Sequence, residues 1–332
     1  MQKTEINENP EKQVVPQVQT VKIKQVDAFT SKPFTGNPAG VLTEAASLSD
    51  DQMLAIANEM NLSETAFVLP SDKADFRIRW FTTEREVLFC GHATVAAMHA
   101  LAEESKFGMD KDGDYSFTIE ALVGLLPVKV RKFNGKISIT LQAPEINLLE
   151  ENIDLVELAA ILEINLDDFN LDLPIMRDQT VDYIFLPVKN LKALNKVYYN
   201  YSRLKAFGEK LLVKGFSVFT TDTYDDGSHV HSRFFTPYYD VIEDPVTGSA
   251  NAPLAVYLVK NNLVQGSLPL FIKAEQGDIL RRRGRLEVKV FTDKDDGNTE
   301  IEDGEQSQEL GEIKAELIGE AVTVLLGEMF LA

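Results

Sequence analysis

Arg79-Trp80-Phe81-Thr82-Thr83 leads through a short polar link to Gly91-His92-Ala93-Thr94-Val95-Ala96-Ala97-Met98-His99-Ala100-Leu101. Arg233-Phe234-Phe235-Thr236-Pro237 leads in the same way to Gly248-Ser249-Ala250-Asn251-Ala252-Pro253-Leu254-Ala255-Val256-Tyr257-Leu258. Each copy reads as an extended aromatic segment, a loop, and a glycine that opens a helix of small apolar residues. A pair of copies makes a duplicated domain and not a solenoid, which needs more repeats to bury its core. A duplicated domain has a cleft between its halves. A helix start aimed into that cleft offers free backbone N–H groups, and these bind anions.

From Ala93 to Ala102 only Thr94 and His99 are polar. A helix apolar nearly all round is buried, not draped over a surface. Its partner from Ala250 to Val259 has the same character, with Pro253 read as lying in the first turn, where a missing N–H is tolerated. Short alternating segments surround both helices: Val21 to Val26, Lys136 to Leu141, Tyr183 to Leu186, Ser217 to Thr221 and Leu286 to Phe291. A curved sheet around one central helix, made twice, accounts for this pattern better than an open parallel sheet. The expected class is α+β, with two pseudo-symmetric domains, each a β-barrel-like mixed sheet wrapped around a central apolar helix. Ser49 and Gln52 form a capping box for a helix over Asp50 to Met60, and Asn61 stands at its left-handed stop. Ala315 to Ile318 and Ala321 to Leu326 read as two strands with a turn at Gly319-Glu320.

At 332 residues the chain has ample length for two cores. Its net charge of −19 argues against a nucleic-acid partner, which requires clustered Lys and Arg. Arg281-Arg282-Arg283 is the one basic run, and with Gly284 beside it the reading is a solvated hairpin turn. No apolar run approaches the roughly 20 residues of a membrane span. A single cysteine rules out an intramolecular disulfide and fits a reducing compartment, so the expected location is the cytoplasm. Residues 1–20 are polar, without periodicity or an apolar h-region, and read as a disordered tail and no secretory signal. Residues 293–310 hold eight acidic residues against one lysine and read as a solvated loop without the carboxylate spacing of a calcium site.

Five positions could do chemistry. Glu64 stands at the mouth of the apolar strand Ala66 to Leu69, where desolvation would raise its pKa toward the range useful for proton transfer. Locally, a surface glutamate at a strand start is the plainer reading. His92 follows the helix-opening Gly91, and a helix N-terminus holds histidine toward its neutral form. Asp244 lies in Glu243-Asp244-Pro245-Val246-Thr247-Gly248-Ser249. Asp, Thr and Ser there can cap the second helix, or the acid can orient a histidine or bind a substrate amine. Ser249 is the repeat partner of His92, and Gly248 that of Gly91. Cys90, next to a helix N-terminus, is expected to have a lowered pKa and to be able to act as a base. A two-thiol racemase is disfavoured, because Thr247 stands where the second thiol would be. His99 reads as core packing. His229 and His231 form an isolated H-x-H, a weak metal signal.

At these residues the chain resembles the phenazine-biosynthesis-like (PhzF-like) isomerase family. The matching blocks are Val26-Asp27-Ala28-Phe29 with Gly36-Asn37-Pro38-Ala39-Gly40-Val41, then Asn61-Leu62-Ser63-Glu64-Thr65-Ala66-Phe67, Cys90-Gly91-His92-Ala93-Thr94, and Asp244-Pro245-Val246-Thr247-Gly248-Ser249-Ala250. They occur in the family's order and span about residues 21 to 332. The resemblance implies the diaminopimelate-epimerase-like fold, an active site between the domains, a homodimer, and no metal or organic cofactor. It also reverses the local reading of Glu64, which occupies the position of the family's catalytic acid/base, and carries His92, Asp244 and Ser249 onto the positions around the substrate. In the best-known member that substrate is 2,3-dihydro-3-hydroxyanthranilate. Ala93 replaces the proline of the usual G-H-P-T block.

In the resembled fold the final strand returns to the first domain. The expected domains are thus 21–143 plus 320–332, and 144–319 with the acidic loop 293–310, and Val322, Val324 and Leu326 are expected to fill the first sheet's edge. The function read from all this is a cofactor-independent isomerase. It moves a proton on a small, cyclic, carboxylated molecule, with Gly91 and Gly248 holding the carboxylate and Glu64, His92 and Asp244 doing the chemistry. The alternatives are a non-catalytic small-molecule binder and a single-thiol racemase or epimerase.

Overall fold

Both aromatic segments are strands, Phe76–Phe81 and Val230–Thr236, and both glycine-led segments are helices, Gly91–Glu103 and Gly248–Lys260. The computed structural model describes residues 19–293 and 312–331. The expected tail, apart from Gln19 and Thr20, and nearly all of the acidic loop lie outside the described residues.

Eight strands close into a barrel around the first central helix. In order around the barrel they are Gln19–Ala28, Asn37–Leu42, Glu64–Leu69, Phe76–Phe81, Gly113–Ala121, Gly124–Phe133, Lys136–Gln142 and the long final strand Ile313–Leu331, which pairs back onto Gln19–Ala28. The helix inside is buried from His92 to Ala102. Around the second central helix run Met176–Asp178, Tyr183–Pro187, Gly215–Thr220, Val230–Thr236, Leu270–Gln276, Gly284–Thr292 and the start of the final strand. From Gln19–Ala28 in one half and Met176–Asp178 in the other, successive pairings run antiparallel, parallel, antiparallel, parallel, antiparallel, antiparallel. The duplication read from two short sequence blocks therefore extends to the whole topology.

The repeated arginine has a repeated task. Arg79 binds Glu86 with two nitrogens, at 2.8 and 2.6 Å, and Arg233 binds Glu243 with two, both at 2.8 Å. Each guanidinium also lies 5.0 Å from the ring of the next-but-one phenylalanine, Phe81 or Phe235. A planar, charged fork paired with a carboxylate and stacked on a ring is held in one geometry. It ties the aromatic strand to the segment that leads into the buried helix.

Two strands are exchanged between the halves. Lys136–Gln142 belongs to the first barrel, and the chain then moves on so that Leu148–Glu150 pairs with Met176–Asp178 in the second. The final strand makes the reverse journey: Ile313–Ile318 pairs with the second barrel's Thr292–Glu287, and Ala321–Leu331 pairs with Ala28–Gln19. Midway the two crossing strands pair with each other, Glu316–Glu320 against Gln142–Ser138.

Three local expectations need correction and one is refined. Gly319-Glu320 is no turn, because Ile313–Leu331 is one continuous strand. Gly319 is needed for close packing instead, since a Cβ there would sit 2.6 Å from Cδ1 of Phe29. Val322 and Leu326 do lie at the first sheet's edge as expected, paired with Asp27 and Lys24, but Leu326 is 69% exposed, and Ala315, Leu317 and Ala321 carry the strand's buried face. Pro253 lies in the second turn, since the helix begins at Gly248, and it leaves the Ser249 carbonyl without its usual i+4 donor. The basic run is not simply solvated: Arg282 crosses to the first half and pairs with the buried Asp27 at 2.8 Å. The turn glycine there is Gly277, at φ +87, and Gly284 opens a strand. Among the described residues no helix is long and apolar enough to cross a membrane.

His99 packs in the core as expected, and its buried Nδ1 has no hydrogen-bond partner among the described residues. Burial holds its pKa down at about 4, against 6.5 for a free histidine. The unfolded chain therefore binds a proton at a higher pH than the folded one. His99 contributes stability that is present above pH 6.5 and lost as pH falls through about 4. At about 1.36 kcal/mol per unit, wild type is expected to lose about 3 kcal/mol across that window that His99→Leu does not lose, measured by urea unfolding at stepped pH.

Candidate active site

The site is built from strand starts and helix starts. Asn37 and Glu64 open neighbouring parallel strands, with Ala39 opposite Glu64, so both stand at one end of the first barrel. Cys90, Gly91 and His92 form the start of its central helix. In the second half Tyr183 opens a strand, Asp244 closes the short strand Val241–Asp244, and Thr247, Gly248 and Ser249 start the second central helix. Neither helix has a side-chain cap: Cys90 and Thr247 are the N-cap residues, and neither makes a capping bond. The expected cap role of the Asp-Thr-Ser cluster is thus corrected, because the Thr247 hydroxyl donates to Asp244 instead. Among the described residues the amides of Gly91, His92, Gly248 and Ser249 have no protein acceptor. Four free donors at two helix starts make an electropositive seat.

Around that seat the titratable groups crowd together. His92 Nε2 lies 3.4 Å from a Glu64 carboxylate oxygen and 3.3 Å from the Ser63 hydroxyl, while its Nδ1 lies 3.4 Å from the Cys90 sulfur. From the other half, Asp244 is close enough to His92 for each to feel the other's charge. Asn37 donates to Asp244 Oδ1 at 2.8 Å and to the Val246 carbonyl at 2.9 Å, so one first-half amide bridges the domains. Gln276 donates to the Asp244 carbonyl at 2.8 Å and accepts from the Thr247 amide at 3.1 Å.

Burial dominates the protonation states. It pushes Glu64 upward against the opposing hydrogen bonds from Ser63 and Cys90. Glu64 keeps 20% of its side chain exposed, which softens the effect. Burial also raises Asp244, against the pull of His92 and the Thr247 hydroxyl. It lowers His92, the direction read from its place at a helix start, though the cause is burial. The expectation for Cys90 is overturned: burial and the nearby Glu64 charge raise the thiol well above its ordinary value. A thiol in that state is no base at neutral pH.

Donor atoms of Glu64, Cys90 and His92 lie within 4.8 Å of one another, as do those of His231, Glu275 and Asp278. The second set is already occupied internally. Glu275 accepts from His231 at 2.9 Å and from the Tyr224 and Asp225 amides, and Asp278 holds both Arg285 and Arg283. His229 instead ties the backbone of Lys273. The H-x-H pair is thus structural.

Ser249, Gly248 and Gly91 stand where expected, at the two helix starts. The sequence reading missed Asn37, Gln276 and Tyr183. Asn37 lay within a quoted block, but a neutral amide gives no signal of its own. Tyr183 is buried, packs on Phe234 and lies beside Ser249.

The sequence pattern of phenazine biosynthesis-like proteins matches residues 26–325. The chain belongs to this family. An uncharacterised isomerase of Clostridium acetobutylicum is 35% identical over 320 residues, covering 95% of this chain and 99% of the relative. The trans-2,3-dihydro-3-hydroxyanthranilate isomerase of Pseudomonas aeruginosa is 32% identical over 240 residues, covering 72% of this chain and 80% of the relative. The crystal structure of a Bacillus anthracis PhzF-family protein superposes with a TM-score of 0.82 at 29% identity, covering 94% of this chain and all of that one. The chain is a PhzF-family isomerase, and the family and fold expected from its sequence blocks are those found.

Proposed function

We propose that this PhzF-family isomerase moves a proton within a small cyclic carboxylate, with Glu64 as the acid/base and the cleft between the barrels as the site. One observation supports the reading above the others: Glu64 and His92 from one half meet Asp244 from the other beside two uncapped helix starts. The free amides of Gly91 and Gly248 would hold the substrate carboxylate. Glu64 would take a proton from a ring carbon, the C–H electron pair would pass into the ring's π system, and the same carboxyl would return the proton to another carbon. No electrons leave the substrate, so the step needs no oxidant. Neutral His92 would donate a hydrogen bond as charge builds. Asp244, oriented by Asn37 and Thr247, would face a substrate amine.

The similarity to trans-2,3-dihydro-3-hydroxyanthranilate isomerase makes that compound the first to try in a panel of cyclic amino acids, with proton NMR following isomerisation. Conversion of at least one member supports the proposal. Tight binding of panel members without conversion would favour a binding protein.

Two variants probe the parts. A Cβ at Gly91 would meet nothing closer than 3.9 Å, so packing does not require glycine there. Gly91→Ala is expected to keep its stability within about 1 kcal/mol. Its turnover should fall about 10²-fold, the scale of an ångström's misplacement of substrate. Cys90→Ala is expected to keep turnover within about tenfold, short of the 10²–10⁴ scale of a lost acid/base. Full inactivation of Cys90→Ala would restore the single-thiol reading.

A further inference from the structure

Among the described residues no ion pair holds the Asp244 carboxylate; the Thr247 hydroxyl donates to one oxygen, and Asn37, from across the domain boundary, donates to the other at 2.8 Å. Asn37 follows a loop, residues 29–36, that contains three left-handed positions, Phe29 at φ 60, Phe34 at φ 65 and Gly36 at φ 67. Left-handed residues outside glycine are costly, and such a loop keeps its shape only when its surroundings hold it.

What holds it is the turn after Leu270–Gln276. Arg282 Nε donates to the Gly36 carbonyl at 3.0 Å, and one terminal nitrogen donates to the Thr35 carbonyl at 3.0 Å and to Asp27 Oδ1 at 2.8 Å. The other Asp27 oxygen accepts from the Phe34 amide at 2.8 Å. Backbone bonds flank the guanidinium, from Gly36 N to the Arg283 carbonyl at 3.0 Å and from Arg285 N to the Phe29 carbonyl at 2.8 Å. The same turn touches the segment that carries Asp244. A Cβ on Gly277 would lie 2.6 Å from the Pro245 carbonyl oxygen, and one on Gly284 would overlap the Val246 side chain.

We infer that Arg282 is a positioning residue: it clamps the 29–36 loop so that Asn37 aims the Asp244 carboxylate into the cleft. A guanidinium suits the task because three oxygens in different directions need a fixed fork, which an ammonium does not offer. The inference rests on Asp244 acting in the site, but the following test reads its placement without substrate and stands whether or not Glu64 is the acid/base.

Ring-labelled histidine NMR of the full chain follows the titration of His92, whose neighbours are Ser63, Glu64, Cys90 and Asp244. Asp244 raises the His92 pKa against burial. Arg282→Met and Arg282→Lys are therefore expected to move the His92 titration to lower pH, in the same direction as Asn37→Ala, while His99 stays put. Combining Asn37→Ala with either Arg282 variant should add no further shift, because both act along one path. Arg282 variants that melt earlier but leave the His92 titration at its wild-type position would overturn the inference, as would additive shifts in the double variant. If Arg282→Met does not fold, Arg282→Lys and its pairing with Asn37→Ala give the same decision.

Discussion

Glu64→Gln is expected to lose at least 10²–10⁴-fold in kcat/KM, the contribution typical of a general acid/base, and to gain stability at neutral pH. Both effects come from one cause. Burial raises the folded-state pKa of Glu64 above its ordinary 4.5, so between those values the folded chain binds a proton that the unfolded chain does not. Stability therefore falls as pH rises through that window, because the carboxylate must ionise where water is scarce. A neutral amide avoids the penalty. The acid limb of the wild-type rate profile should accordingly lie above the ordinary carboxylate range, and turnover should rise with pH along it. A Glu64→Gln protein that is both inactive and less stable than wild type at pH 7 would point to a structural glutamate.

Removal of residues 321–332 is expected to unfold the first barrel and leave the second largely folded. The deletion takes away the whole of one of the two strands flanking Gln19–Ala28 and exposes that edge. Val21, Ile23 and Val26 are buried there. At about 1.5–3 kcal/mol for each buried side chain exposed, their loss approaches the roughly 5–15 kcal/mol total of a typical domain. Hydrogen exchange should show protection lost at Val26, Val41 and Ala66 and retained at Val218 and Val288. Equal loss in both barrels, or in neither, would contradict the division of labour between the two ends of the final strand.

Much of this architecture can be read locally. The Ser49–Gln52 capping box and the left-handed Asn61 occur as written in the sequence, because such caps depend on four or five consecutive residues. The two apolar helices announce a core around them, and the matched aromatic strands announce the duplication. The strand exchange does not announce itself: Gln19 pairs with Leu331, and no local period encodes a contact at that separation. Gly319 looked like a turn because glycine serves turns and close approaches alike, and only the position of Phe29 distinguishes them.

The site was legible by residue type and less so by energetics. Glu64, His92 and Asp244 came from sequence blocks, while the local reading of Glu64 favoured an ordinary surface acid. For Cys90 the helix terminus suggested a lowered pKa, but such a terminus contributes only about 0.3–1 kcal/mol. Full burial shifts a group by up to several pKa units, and the Glu64 charge adds to it, so burial wins. Asn37, Gln276 and Arg282 were overlooked because their roles lie in bonds to distant backbone and carboxylate groups. An amide in a loop, or an arginine in a basic run, looks the same whether or not such bonds exist.

The central claim is proton transfer to carbon by Glu64. Its most direct test is incubation of a converted panel compound with wild type and Glu64→Gln in deuterated water, with mass spectrometry locating the label. Wild type should place deuterium on a ring carbon, at less than one atom per turnover if the abstracted proton returns before exchanging, and Glu64→Gln should place none above background. Conversion without any carbon-bound deuterium even after many turnovers, together with an equal rate for Glu64→Gln, would contradict it.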